Sequence, residues 1–379
     1  MTGYTARETE GRWGDSRVMY ELVVAAIESK DYRRAAQLLK QWQKAAPKDP
    51  LMLLQIAKLQ TETLQFDAAE KTYLKFLKRV NNPKLMGQAR KGLKQVQQRR
   101  AAARQQALEE ATAVLGSEEP GLLVIEPPAD RPQAAQGLAE VLKIDAYTAR
   151  MQLPSQGLRL QRIGPVGELK FYGESLQAVG IPAFWANVEQ IKTLQTFRVN
   201  HFRQLQPTPT VVCTSPGGQL GAIEFSWSEV TQRVVGQLPI FEQVADLGPW
   251  GKAKRREQTQ DYVQVLDLHL HQRQLILRVC DRTYEFTKSA ALLPDQPIQQ
   301  TTTRLQWNAL LAHIQQHVTS PTFNEFTSFG RGALEFIDLL PYINAHLDID
   351  RRAPTNWDPA YHLYSALLFL KRASGPNAL

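Results

Sequence analysis

Two stretches that lie 34 residues apart carry the same apolar pattern, and that echo restricts what the N-terminal part of the chain can fold into. Across residues 16–83 the shift sets Met19 on Leu53, Leu22 on Ile56, Val23 on Ala57, Tyr32 on Phe66, Ala35 on Ala69 and Leu39 on Tyr73. Every pair is apolar, and apolar residues three and four apart line one face of a helix. Each copy therefore reads as a helix, a break made by a polar residue and then an aromatic (Asp31-Tyr32, Gln65-Phe66), and a second helix with a small Ala where the two must approach. Pro47 closes the first copy and Pro83 follows the second. Such a hairpin cannot bury its apolar face alone, so the copies must stack.

The 34-residue period, the paired Ala and the closing Pro resemble the tetratricopeptide repeat (TPR) family. The resemblance implies α-hairpins with a concave groove that binds another protein. The pattern departs from the family where Met19 with Val23, and Leu53 with Ala57, replace the favoured Trp and Gly. In the family's register Arg17, Tyr20, Val24 and Glu28, then Leu54, Lys58 and Thr61, face the groove. Tyr20 and Val24 occupy the places where chaperone-tail binders carry Lys and Asn for a terminal carboxylate, which speaks against that ligand. The resemblance instead implies a groove for a short amphipathic helix or extended peptide, with Arg17, Tyr20, Val24, Leu54 and Lys58 as partner-binding residues. The alternative occupant is the chain's own long helix or N-terminal segment.

A two-hairpin array needs a capping element, and residues 83–115 supply one: Leu85, Ala89, Leu93 and Val96 recur at helical spacing amid Arg, Lys and Gln. Between 84 and 104 lie Lys84, Arg90, Lys91, Lys94, Arg99, Arg100 and Arg104 with no acidic residue. Lys252, Lys254, Arg255 and Arg256 form a second basic group, expected in an exposed loop after Gly248-Pro-Trp-Gly251. The chain's formal charge of +8 favours an acidic partner. A solvated helix face is the first reading of the long basic helix, since its bases interleave with Gln and Ala without aromatics for stacking. Arg99, Arg100, Lys252, Lys254, Arg255 and Arg256 are the anion-binding candidates of the alternative, a nucleic-acid- or ribosome-associated factor.

The turn formers of Gly116-Ser-Glu-Glu-Pro-Gly121 mark a boundary. Beyond it the pattern predicts a strand at 122–126, helices at 133–143 and 145–153, a strand at 157–163, a helix at 166–179 and a strand at 181–186. That order is similar to the small α+β module of the bacterial ribosomal stalk protein's C-terminal domain and of the Clp protease adaptor. Strands are expected at 197–205, 210–214, 220–227, 262–270 and 275–286, with a short helix opened by Ser228, together forming an antiparallel sheet. Helices follow at 304–318, 332–347 and 359–372. The expected class is a multidomain α+β chain: a TPR-like helical domain with its capping helix (1–115), a small α+β module (116–195), a strand-rich domain (196–290) and a helical segment packed on it (291–379). The order of elements after the repeats also resembles uncharacterised cyanobacterial TPR proteins with a long non-repeat C-terminal region, which implies no activity.

No catalytic residue and no cofactor are expected. Asp267, His269 and His271 alternate on one strand face, but ligands at that spacing converge on a metal only if the backbone bends, so a solvated hairpin end is expected in place of a metal site. His313 and His317 have the i, i+4 spacing of two zinc ligands without the Glu that follows the first His in zinc proteases. Gly173-Glu-Ser-Leu-Gln177 lacks the last Gly of a hydrolase elbow, and Ser215-Pro-Gly-Gly218 lacks the Lys of a phosphate loop. Cys213 and Cys280, the only two cysteines, read as buried small hydrophobes. No apolar run is long enough to span a membrane, and residues 1–17 are polar, so the expectation is a cytoplasmic, non-enzymatic scaffold or assembly factor with a protein partner.

Overall fold

The computed structural model describes residues 7–47, 49–247, 253–292 and 301–373, in a fold that mixes helix and strand. The chain divides into two compact units, Met1–Glu110 and Ala111–Leu379.

The first unit is helical: α1 (Arg7–Glu28), α2 (Tyr32–Ala45), α3 (Pro50–Glu62), α4 (Phe66–Leu77) and most of α5 (Pro83–Thr112). Its breaks obey local chemistry. The Asp31 carboxylate accepts from Arg34 N at the start of α2, and Asp49 accepts from Leu51 N with Pro50 at the first turn of α3. The turns after α1 and α3 match bond for bond. Asp31 N donates to Ala26 O and Gln65 N to Gln60 O, at 2.9 and 2.8 Å. Ala35 and Ala69, with no exposed surface, let each hairpin close. The first hairpin packs around Val23, Leu39, Trp42 and Met52, and the second with α5 around Leu54, Ala57, Tyr73, Phe76, Ala89 and Val96.

The second unit has two sheets. β1 (Pro120–Ile125), β2 (Arg159–Pro165) and β3 (Ala183–Asn187) form an antiparallel sheet ordered β2-β1-β3, with α6 (Arg131–Leu142), α7 (Ala146–Gln152), α8 (Val166–Ala178) and α9 (Val188–Thr193) between and after them. The element order is the one read from the sequence. Alternation along β1 sends Leu123 and Ile125 toward the helices, and Leu122 and Val124 into a core shared with the second sheet.

That second sheet holds β4 (Gln195–Gln204), β5 (Thr210–Thr214), β6 (Leu220–Glu224), β7 (Gln232–Leu247), β8 (Ala253–Leu270), β9 (Leu275–Cys280) and β10 (Thr322–Phe323), in the order β10-β7-β8-β9-β4-β5-β6. It is mixed and not antiparallel as expected, because β4 runs parallel to β9 and β10 parallel to β7. β7 replaces the helix expected after Ser228. Gln232, Val234, Gly236 and Leu238 are buried in alternation, a period of two that the Val-Val-Gly composition favours over a helix. Residues 253–262 are likewise strand and not loop, paired along their length with β7.

The C-terminal part gives α10 (Thr303–His317), α11 (Phe326–Ala333) and α12 (Trp357–Ala373). A helix over 332–347 does not form. α11 ends at Ala333, and only a 3-10 turn at Leu340–Tyr342 follows, with Pro341 unable to donate the hydrogen bond a continuing helix would need there. α12 is buried on every side from Pro359 to Phe369, the pattern of a helix inside a core. It joins one cluster with β1, β3, β7, β8 and α11 residues, so one core runs across residues 195/196 and 290/291. Gly236 is required beneath it: a Cβ there would lie 2.3 Å from the Tyr361 ring, whose hydroxyl donates to Val234 O at 3.0 Å.

Candidate functional site

The two helical hairpins and α5 enclose a cleft of about 210 Å³ lined by Val24, Ile27 and Glu28 of α1, Gln55, Lys58, Thr61 and Glu62 of α3, Tyr73 of α4 and Gln95 of α5. Each helix brings its residues by the spacing of its apolar face. Gln55, Lys58 and Glu62 are three and four apart on α3, while Leu54 and Ala57 point into the core. α5 reaches the cleft because residue 92 is Gly: a Cβ there would stand 2.4 Å from Tyr73 Cζ.

The floor of the cleft is Gln55. Its side chain has no exposed surface, and neither Oε1 nor Nε2 has a hydrogen-bond partner. A buried amide left unpaired costs about 1–3 kcal/mol, and native proteins hold few such groups. Thr61 in the same wall is satisfied, its hydroxyl donating to Ala57 O at 2.8 Å. Glu62 is held by Arg99 at 2.8 Å, which raises the pKa of the guanidinium further. Burial raises the pKa of the Tyr73 hydroxyl. Half-buried Lys58 and exposed Glu28 have no ion-pair partner among the described residues. The cleft thus offers one unpaired cation, one unpaired anion and an unanswered carboxamide, with Val24 and Ile27 also in its lining. Its two hydroxyls, Thr61 and Tyr73, share the wall with Glu62.

Of the partner-binding residues expected from the sequence, Val24 and Lys58 meet here and three do not. Leu54 is 0% exposed in the core of the second hairpin and cannot face a partner. Tyr20 packs edge-on against Trp42 with ring centroids 6.5 Å apart, as part of the first hairpin's core. Arg17 is open to solvent and pairs with Glu21 at 3.5 Å. Gln55 was missed, although it is the one polar residue in the run Leu51-Met-Leu-Leu-Gln-Ile-Ala57.

The anion-binding candidates fare differently. Arg99 is committed to Glu62, and Arg100 bridges to Asp67 and Glu70, so both charges are answered within the helical unit. Lys254, Arg255 and Arg256 lie in β8 opposite Asp246, Ala245 and Val244, in a strand and not the expected loop, while Lys252 lies outside the described residues.

Asp267 and His269 are fully buried, against the expected solvated hairpin end. They sit against α12, in contact with Ser365 and Phe369. Arg278 grips Asp267 with two hydrogen bonds of 2.8 and 2.6 Å, and Ser365 donates to the same carboxylate at 2.5 Å. His269 Nε2 lies 2.9 Å from Ser365 Oγ and its Nδ1 3.2 Å from Gln232. With the Ser365 proton given to Asp267, His269 Nε2 must donate. Burial, then His271 and Arg278, keep His269 well below its usual pKa. Ser, His and Asp meet here, but the carboxylate orients the Ser and not the His, and substrate has no access, so the cluster is a polar lock and not a catalytic triad. His271 stacks on Phe369 at 4.1 Å and approaches Thr231. His313 and His317 stack at 4.3 Å and pack on Trp227. Cys213 and Cys280 are buried and unpaired, and burial pushes the Cys213 thiol up to about 11.

Among the described residues no group of three or more His, Cys, Asp or Glu side chains is arranged to hold a metal ion, and no helix is long and apolar enough to cross a membrane. No protein-family model matches the chain, and neither a curated protein nor a solved structure matches it.

Proposed function

We propose that the protein is a non-enzymatic interaction or assembly factor that binds a protein partner through the cleft between its N-terminal hairpins, a TPR-like array. The unanswered Gln55 carboxamide in the cleft floor carries this reading, since a buried donor and acceptor are retained at a cost where a ligand completes them. The matching turns after α1 and α3 support the repeat. Two free thiols and the absence of a disulfide among the described residues support a cytoplasmic setting. The test is capture from native lysate with wild-type protein and with Val24→Asp/Lys58→Glu, in low and high salt with nuclease. Folded double variant that loses a protein band retained by wild type supports the cleft, and equal capture by both overturns it.

The alternative, a nucleic-acid- or ribosome-associated factor, draws on Lys84, Arg90, Lys91 and Lys94 of α5, which are exposed and have no ion-pair partner among the described residues. Nuclease-sensitive capture with a steep loss on adding salt favours it.

A further inference from the structure

We infer that the cleft takes the side-chain carboxamide of an Asn or Gln residue of the partner, paired edge to edge with Gln55; the inference rests on the reading of the cleft as a protein-binding site. Both polar atoms of Gln55 are unpartnered, so a ligand that completes them must present a donor and an acceptor side by side. A primary carboxamide does so, its N–H donating to Gln55 Oε1 while its oxygen accepts from Nε2. A carboxylate would satisfy Nε2 and set an acceptor against Oε1. An ammonium group would satisfy Oε1 alone, and an aliphatic chain neither.

Main chain is a poorer fit. The N–H and C=O of one trans peptide group point in opposite directions, so on the main chain only the N–H and C=O of one residue along a strand edge could answer both atoms. Gln55 also has no exposed surface, which places it below the reach of a strand lying across the mouth. A narrow side-chain end reaches it once the lining side chains part, with its methylenes against Val24 and Ile27 and its backbone near Lys58 and Glu28 at the rim. A helix about 10 Å across does not enter a cleft of about 210 Å³.

The experiment is an NMR titration of the full chain, reading the Gln55 side-chain NH₂ signals, assigned by their loss in Gln55→Met, and the Ile27 methyl groups. The probes are the N-acetyl methylamides of glutamine, asparagine, glutamate and alanine. Saturable shifts at both positions with the glutamine or asparagine probe in the millimolar range, absent with glutamate and alanine and absent at Ile27 in Gln55→Met, support the inference. Equal shifts with the alanine probe identify main-chain amide as the ligand and overturn it. No shift with any probe, with a bound-water cross-peak at Gln55, shows a buried water in its place and also overturns it. Lysate capture that depends on Val24 and Lys58 survives either negative result, so failure here is separable from failure of the cleft as a partner site.

Discussion

Lys30 and Leu64 share one backbone conformation, each with φ of +60°, and they stand 34 residues apart at the ends of α1 and α3. The left-handed residue that stops each first helix is thus repeated with the apolar pattern. At both places the chain uses a residue with a Cβ where Gly is favoured, so relief of that strain is measurable. Leu64→Gly should raise the stability of the helical unit by about 0.5–1 kcal/mol, and Leu64→Val, β-branched in the left-handed region, should lower it by about 1 kcal/mol or more. Leu64 is 65% exposed, so little packing is lost. Urea unfolding followed by circular dichroism checks both.

The buried pair Asp267–Arg278 should behave as a lock whose halves need each other. Removing one partner alone, as Arg278→Met, leaves a buried charge and should cost about 3–5 kcal/mol. Asp267→Leu/Arg278→Met should cost much less than the sum of the two single changes. Denaturant unfolding of the four-variant cycle reads the coupling.

Gly236→Ala puts a methyl carbon against the Tyr361 ring, which is buried on all sides and tied to Val234. A loss of about 1–3 kcal/mol is expected from overpacking. Adding Tyr361→Leu should recover part of it, and thermal melts of the single and double variants measure the recovery.

Acid should loosen the second unit before carboxylates titrate. Burial, aided by Arg278, drives His362 well below its usual pKa and brings His346 to about 4, and His269 is depressed in the same way. The unfolded chain takes a proton on each near pH 6.5 while the fold refuses it, so the unfolded state binds more protons in that window. Stability is full above about pH 6.5 and falls as pH drops, by up to about 1.4 kcal/mol per pH unit for each histidine. Half-buried Asp281 and Asp358, with carboxyl pKa values raised by desolvation, act in the opposite sense, so the slope is read between pH 6.5 and 5. Melting temperature against pH checks it, with a shallower slope in His362→Phe.

Secondary structure was legible where one physical signal dominated. The strand-helix-helix-strand-helix-strand order of residues 120–187 follows from clean changes of period and from caps such as Asp145, whose carboxylate accepts from Tyr147 N and Thr148 N. The 34-residue echo located four helices. β7 was lost because Ser226 to Glu229 form a capped turn that imitates a helix start, and because Pro239 lies within the strand. The sheet tolerates that proline where β10, paired only to Arg233 and Val234, leaves the outer edge of β7 open. Burial set by distant segments was not legible. Nothing local distinguishes a solvated Asp267 and His269 from the pair that α12 covers some hundred residues later. At the cleft, register arguments put Leu54 at the surface, whereas helix packing turned it inward and brought its neighbour Gln55 to the floor.

The most direct measurement is made on Gln55→Met, which keeps the length of the side chain and removes its two unanswered polar atoms. If Gln55 is held for a partner, the variant should melt at a higher temperature than wild type, by the few degrees that relief of about 1 kcal/mol gives, and should no longer capture the protein band that wild type retains. A variant that melts lower, or that captures the same band undiminished, would contradict a binding role for the cleft floor.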